Sequence, residues 1–269
     1  FDLLGTGASL TTAAGAPLLN VVLMALVICG GLGFLVWDDL LTHGRHVRRW
    51  RLHSKIVLSF TMALFAGGAL AFYVLERDRA FAGAPTGQKI LMAAFQSVTA
   101  RTAGFNTADL TALSQSGTLL TLILMFIGAG SGSTGGGIKV NTFAALLLSA
   151  FAQARRREDV NIFRRRLDRD DIHKAYSNVT LYFLACLAGC MVLCAQGVSM
   201  DDALFEAISA IGTVGLTRGL TPSLPELSKL AVLLLMFAGR VGSMSVAMAV
   251  TRDQPQAKLR NVPEKILIG

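Results

Sequence analysis

Charged residues are absent from four long runs of the chain: 17–37, 56–75, 110–138 and 175–200. A helix needs about 20 apolar residues to cross ~30 Å of hydrocarbon, so these runs predict membrane-embedded segments. Two shorter apolar stretches lie among them. Residues 90–100 sit between Lys89 and Arg101, residues 207–217 between Glu206 and Arg218, and the two stretches are equal in length. Neither reaches across a bilayer. Each follows a full-length run and precedes another, which predicts a short helix that enters the membrane and returns on the same side. Asp201 and Asp202 stand where they favour the N-terminus of the second short helix.

The two units are copies. Thr102-Ala103-Gly104-Phe105 aligns with Thr213-Val214-Gly215-Leu216, and the register continues into the following helix. At the same spacing after each central glycine comes a methionine followed by phenylalanine, at Met125 and Met236. A weaker third copy survives earlier, where residues 26–34 (LVICGGLGF) resemble residues 122–130 (LILMFIGAG). An internal repeat of this size sets the architecture before any single motif does.

Composition agrees with membrane embedding. The 269 residues are 53% hydrophobic and 16% charged, with mean hydropathy +0.55, whereas a soluble domain carries charge on about a quarter of its residues. The net charge of +8 changes meaning once it is located. Seventeen Lys and Arg fall in residues 45–55, 155–174 and 252–265, against five in the connections on the other side (Arg77, Arg79, Lys89, Arg218 and Lys229). This asymmetry is the positive-inside pattern and puts the three basic clusters in the cytoplasm. No basic stretch is interleaved with stacking aromatics, so nucleic acid is not an expected partner. Solvated loops account for the clusters, and contact with anionic membrane lipid is the alternative.

Little here suggests bond chemistry. Cys186, Cys190 and Cys194 share one face of an apolar helix with no His or carboxylate joining them, a pattern of packing thiols rather than metal ligands. Cys29 stands alone, and no disulfide framework follows. His43, His46, His53 and His173 lie in basic segments, and no nucleophile–base set or paired carboxylates occur. The chain is expected not to be an enzyme and to hold no covalent cofactor.

Short helices that end inside the membrane leave irregular backbone there, which is tolerated only where protein buries it or where it lines a water-filled cavity. Backbone carbonyls around a glycine can replace the hydration shell of a cation, and glycine reaches backbone conformations barred to other residues. The two Thr-x-Gly tripeptides are similar to a shortened potassium-channel filter. Two ordinary glycine turns would look the same in isolation; the repeat, the short helices and the charge topology favour a pore.

Four stretches make the resemblance specific: residues 96–107 (QSVTARTAGFNT), 125–139 (MFIGAGSGSTGGGIK), 209–224 (SAIGTVGLTRGLTPSL) and 236–244 (MFAGRVGSM). They resemble the membrane subunit of the Trk/Ktr/HKT potassium-transporter superfamily, nearest its bacterial Ktr branch. That resemblance implies an all-α integral membrane protein of helix–pore loop–helix repeats around one ion path, with one filter glycine per repeat. Gly104 and Gly215 match the third and fourth. Ion-binding residues would be Thr102, Ala103, Gly104 and Phe105 with Thr213, Val214, Gly215 and Leu216, holding potassium at backbone carbonyls. The expected substrate is K⁺, with Na⁺ as the alternative. Phe1-Asp2-Leu3 resembles the residues just after the second filter glycine, so the first repeat and most of the second are expected to be missing from this sequence. The expected divisions are 1–40 (end of the second repeat), 41–55 (cytoplasmic loop), 56–154 (third repeat), 155–174 (cytoplasmic loop), 175–251 (fourth repeat) and 252–269 (cytoplasmic tail). The resemblance also implies a homodimer in the bacterial inner membrane, regulated by a cytosolic nucleotide-binding ring that docks on the basic loops.

The same resemblance implies a gate. The glycine-rich stretch containing Gly128, Gly130, Gly132, Ser133, Thr134, Gly135, Gly136 and Gly137 would form an intramembrane loop below the filter. Residues 130–135 also satisfy GxGxxG, leaving a dinucleotide-binding enzyme as the rival class. The preceding run is span-length rather than strand-length, which weighs against it. Arg240 interrupts an apolar run and is costly near mid-membrane; the resemblance puts it in the pore facing the loop. Lys139 is expected to reach the cytoplasmic surface. Asn106 and Thr107 are read as outer-mouth or turn residues, Asp109 and Glu206 as cation-attracting, capping or surface residues.

Overall fold

The computed structural model describes residues 9–242. Within them the elements run α1 (Pro17–Leu32), α2 (Phe34–His43), α3 (Leu52–Glu76), α4 (Thr86–Thr99), α5 (Gln115–Phe126), α6 (Val140–Ala154), a two-residue-per-strand hairpin β1 (Asn161–Ile162) and β2 (Arg165–Arg166), then α7 (Arg169–Ala195), α8 (Met200–Ile211) and α9 (Glu226–Val241). The all-helical expectation holds apart from that hairpin, which lies in the basic segment 155–174. The Phe1-Asp2-Leu3 stretch, Ser243, Met244 and the 252–269 tail lie outside the described residues.

Among the described residues two helices are long and apolar enough to cross a membrane, α3 with 25 residues and α7 with 27. The run 17–37 does not form one straight span. It breaks at Gly33 into α1 and α2, which are bent by 95°, and Trp37 Nε1 ties across the break to the Cys29 carbonyl at 3.0 Å. The run 110–138 likewise contains only the 12-residue α5, followed by irregular backbone up to α6. The spans expected after each short helix are therefore shorter than full length in the described residues.

The short helices themselves are α4 and α8, and both start before the apolar stretches that announced them. Lys89 lies inside α4, and the second stretch is only half helix. Helix α8 starts at a good cap: Ser199 Oγ accepts from Asp202 N at 3.3 Å, with Asp201 and Asp202 in the first turn. An acidic first turn complements the helix dipole. Small residues let neighbouring backbones approach each short helix. Ser97 Oγ of α4 donates to the Phe65 carbonyl of α3 at 3.0 Å. Gly239 of α9 lies so close to the end of α8 that a methyl there would sit 2.7 Å from the Ile211 carbonyl carbon.

Most of the apolar core is one cluster in which Phe72, Met125, Tyr182, Leu193, Phe205 and Ile211 are buried together. It joins both repeats; Phe126 and Tyr182 meet edge to face at 5.5 Å. Two buried carboxylates fasten helix ends. Asp39 on α2 accepts from Ser54 Oγ at 2.5 Å and Arg51 N at 2.9 Å, pinning the start of α3. Glu76, at the end of α3, accepts from Ser114 N at 3.1 Å and from the Ser114 hydroxyl, fixing the start of α5. Glu76→Ala strands these donors, at a cost of about 1–3 kcal/mol, and is expected to lower the thermal unfolding midpoint of the full-length protein in detergent. Glu76→Gln, which keeps an acceptor, recovers part of the loss.

Candidate functional site

The two Thr-x-Gly loops follow α4 and α8 and repeat one backbone pattern. Thr102 and Thr213 have φ of 72° and 51°, and Gly104 and Gly215 have φ of 80° and 87°. Positive φ is uncommon for a threonine and easy for glycine. Ala103, Phe105, Val214 and Leu216 are not left-handed, so the sign of φ alternates through both tetrapeptides. Each loop is tied back to its helix by a hydroxyl: Thr99 donates to the Phe105 carbonyl, and Ser209 donates to the Leu216 carbonyl at 2.6 Å. The second loop has a further brace. Buried Glu206 accepts from Thr217 and, at 3.0 Å, from Thr221 Oγ1, while Arg218 pairs with Asp202 at 3.0 Å. Glu206 is therefore a buried residue rather than a surface one, and it holds the loop from behind. Asp109 caps a turn through Thr111 N and Oγ1 at 2.9 and 2.7 Å, and Asn106 closes a turn on the Ala108 carbonyl at 3.0 Å. Thr107 is buried.

The glycine-rich segment lies against both loops. A methyl on Gly135 would collide with the Thr102 hydroxyl and sit 2.6 Å from Ala129 Cβ; one on Gly136 would sit 2.8 Å from Thr213 Cγ2. The absent side chains at these two positions are what allows one segment to touch both repeats. Its backbone is satisfied by unusual partners. Gly128 N donates to the Ile138 carbonyl at 2.8 Å and Val140 N to the Ala129 carbonyl at 3.1 Å, closing the base of the loop. Gly130 N donates to Gly31 at 2.8 Å and Thr134 N to Gly30 at 3.3 Å, both on α1 beside its break. Gly132 in turn accepts from Phe34 N at 3.1 Å. Ser133 sits at the tip between these contacts.

Three cations cap the loop carbonyls. Arg240 of α9 donates to Thr134, Lys139 donates to Gly135, and Arg101 donates to Gly128 at 3.2 Å and to Thr61 Oγ1 at 3.4 Å. Lys139 thus turns back onto the loop rather than away to the cytoplasmic surface. Arg101 was legible only as a charge bounding a short helix; its partners lie 27 and 40 residues distant, and nothing local signals them. The site brings together Thr102, Thr213, the glycine segment and Arg240.

Residues 1–262 match the sequence model of the TrkH family, described as cation transport protein. The chain belongs to the TrkH family of cation transport proteins. It is 38% identical to the potassium/sodium uptake protein NtpJ of Enterococcus hirae, covering 100% of this chain and 61% of that protein. It is 38% identical to Ktr system potassium uptake protein B of Vibrio alginolyticus, over 89% of this chain and 53% of the relative, and 35% identical to its counterpart in Bacillus subtilis, over 97% and 59%. This TrkH-family chain therefore spans between half and two-thirds of the length of these relatives. The crystal structure of the potassium transporter TrkH from Vibrio parahaemolyticus shares the fold, with a TM-score of 0.75 at 17% identity over 91% of this chain and 54% of that one. Membership makes it a multi-pass membrane protein of a transporter family and not an enzyme. The dinucleotide reading also fails on position: residues 130–135 are entered from helix α5, not from a strand.

Arg101→Met leaves the Gly128 carbonyl without its donor, at about 1–3 kcal/mol. Hydrogen exchange of amides 128–140 is expected to speed up relative to wild type. Arg101→Lys, which lacks the guanidinium fork needed to reach both acceptors, should fall between the two.

Proposed function

We propose that the chain is part of a potassium-uptake pathway in which Thr102, Ala103, Gly104 and Phe105 with Thr213, Val214, Gly215 and Leu216 form half of a selectivity filter through their backbone, the Phe105 and Leu216 carbonyls anchoring each loop to Thr99 and Ser209. The observation that carries this reading is the contact of one glycine segment, through Gly135 and Gly136, with the threonines of both alternating-hand loops. An ion leaving the filter meets that segment next. The stretch from Gly128 to Gly137, including Gly130, Gly132, Ser133 and Thr134, acts as the gate, and Arg240 latches it by binding Thr134. A fixed positive charge in a cation path raises the barrier to passage, so latch and electrostatic plug are one residue.

The division into 1–40, 41–55, 56–154, 155–174, 175–251 and 252–269 follows the same reading, with the third and fourth quarters of the path supplied here. The named relatives support potassium as substrate, and the printed name of the E. hirae relative keeps sodium as the second reading. A homodimer with a cytosolic nucleotide-binding ring completes the proposal.

Gly104→Ser and Gly215→Ser, made in the full-length protein, are expected to abolish growth on low potassium or to shift uptake from K⁺ toward Na⁺, measured as ⁸⁶Rb⁺ and ²²Na⁺ influx. Unaltered growth and an unaltered influx ratio in both variants would sink the filter assignment. Arg240→Ala is expected to raise K⁺ influx on the order of tenfold, equivalent to about 1.4 kcal/mol off the barrier. Equal or lower influx with normal membrane abundance counts against the latch.

A further inference from the structure

The basic loop before α3 and the turn of the β1–β2 hairpin flank an open cavity of about 670 Å³ on the face assigned to the cytoplasm. Arg48, Lys55, Arg164 and Arg165 line it, with Trp50 and Phe163 beside them, and no carboxylate is among its lining residues. Neighbouring arginines are matched: Arg51 pairs with Asp38 at 2.9 Å and Arg166 with Asp159 at 3.5 Å. The four lining cations form no ion pair among the described residues. Four unneutralised positive charges, brought together from segments far apart in the chain, are a concentrated demand for an anion.

The rest of the cavity wall identifies the anion's carrier. Leu58 and Ser59 belong to the first turns of α3, a helix long and apolar enough to cross the membrane. The wall thus passes from charge to apolar surface in the direction of the bilayer. Val47 and Phe163 are 50% and 46% exposed, and Trp50 is half-buried with Nε1 donating to the Gly44 carbonyl at 3.1 Å. Aromatic rings with one polar tie are characteristic of the membrane–water boundary. Phe163 and Arg164, with φ of 49° and 62°, form a two-residue left-handed turn usually given to Asn-Gly; here it carries an aromatic ring and a guanidinium to the cavity instead. A soluble acidic partner would match the charges and leave this apolar wall uncovered.

We propose that this cavity binds the headgroup of an anionic glycerophospholipid of the cytoplasmic leaflet, with Arg48, Lys55, Arg164 and Arg165 around the phosphate and Leu58 and Phe163 against the glycerol and upper acyl chains. Basic pockets on the cytoplasmic side of membrane helices suit such headgroups. The inference needs the chain's membrane orientation but not its filter, so it stands or falls separately from the ion reading.

Native mass spectrometry of the full-length protein, released from vesicles of phosphatidylcholine and phosphatidylglycerol, tests it. Wild type is expected to retain phosphatidylglycerol. Arg164→Gln/Arg165→Gln and, independently, Arg48→Gln/Lys55→Gln should each retain at least several-fold less, with phosphatidylcholine adducts unchanged. Arg155→Gln/Arg156→Gln, on the same basic segment but away from the cavity, should behave as wild type. Unchanged phosphatidylglycerol in both site variants, or an equal loss in the Arg155/Arg156 control, overturns the proposal. So does glycerol 3-phosphate binding as tightly as the lipid, or loss of a soluble cytosolic partner in the site variants while lipid is kept.

Discussion

Inside hydrocarbon every peptide group needs a partner, and irregular backbone cannot supply its own. The segment between α5 and α6 carries that requirement to its limit. Its amides turn to α1 and to its own base, and its carbonyls are capped by Arg240, Lys139 and Arg101. Much else follows from that need. Helix α1 must stop at Gly33 so that the backbone beside the break can meet the loop, and a side chain at Gly33 would press on the Ser131 carbonyl at 2.5 Å. Helix α9 must pass close enough to α8 for Arg240 to reach Thr134, and Gly239 next to it permits that approach.

The three cations are not equivalent. Arg101 is largely buried and comes from the first loop, adjoining Thr102, so it ties that loop to the base of the glycine segment through a single side chain. Lys139 binds within four residues of itself and stiffens the loop locally. Arg240 is exposed and spans 106 residues of sequence. The Arg240 contact is the exposed one of the three, and it joins the segments farthest apart in the chain.

Much of the architecture was legible because hydrocarbon thickness is a ruler. Runs free of charge marked α3 and α7, and runs too short to cross marked α4 and α8. The ruler measures apolarity, not straightness. Nothing in the hydropathy of residues 17–37 distinguishes Gly33 from the glycines before it, so the 95° break was hidden, although the likeness of LVICGGLGF to LILMFIGAG pointed to the two broken segments that meet. The start of α8 was legible from Asp201 and Asp202, which lie in its first turn, although Glu206 cuts its apolar stretch short. Buried carboxylates were the least legible. Glu76 and Glu206 take their meaning from Ser114 and from Thr217 and Thr221, and a lone acid in sequence looks the same whether it faces water or a hydroxyl.

The repeat itself raises a physical question that the geometry answers. Two loops of one pattern, at Thr102–Phe105 and Thr213–Leu216, would be expected to have two following segments alike. They do not: the first is followed by glycines and the second by an unbroken α9 as far as Arg240. Gly135 and Gly136 already bring one segment against both Thr102 and Thr213, and a second segment of the same shape would compete for that space. One repeat leaves its helix after Phe126 to make the loop, while the other continues its helix to Val241 and places Arg240 on that loop. The divergence after Met125 and Met236 is thus a division of labour between copies: one supplies the segment that touches both loops, and the other supplies the arginine that binds it.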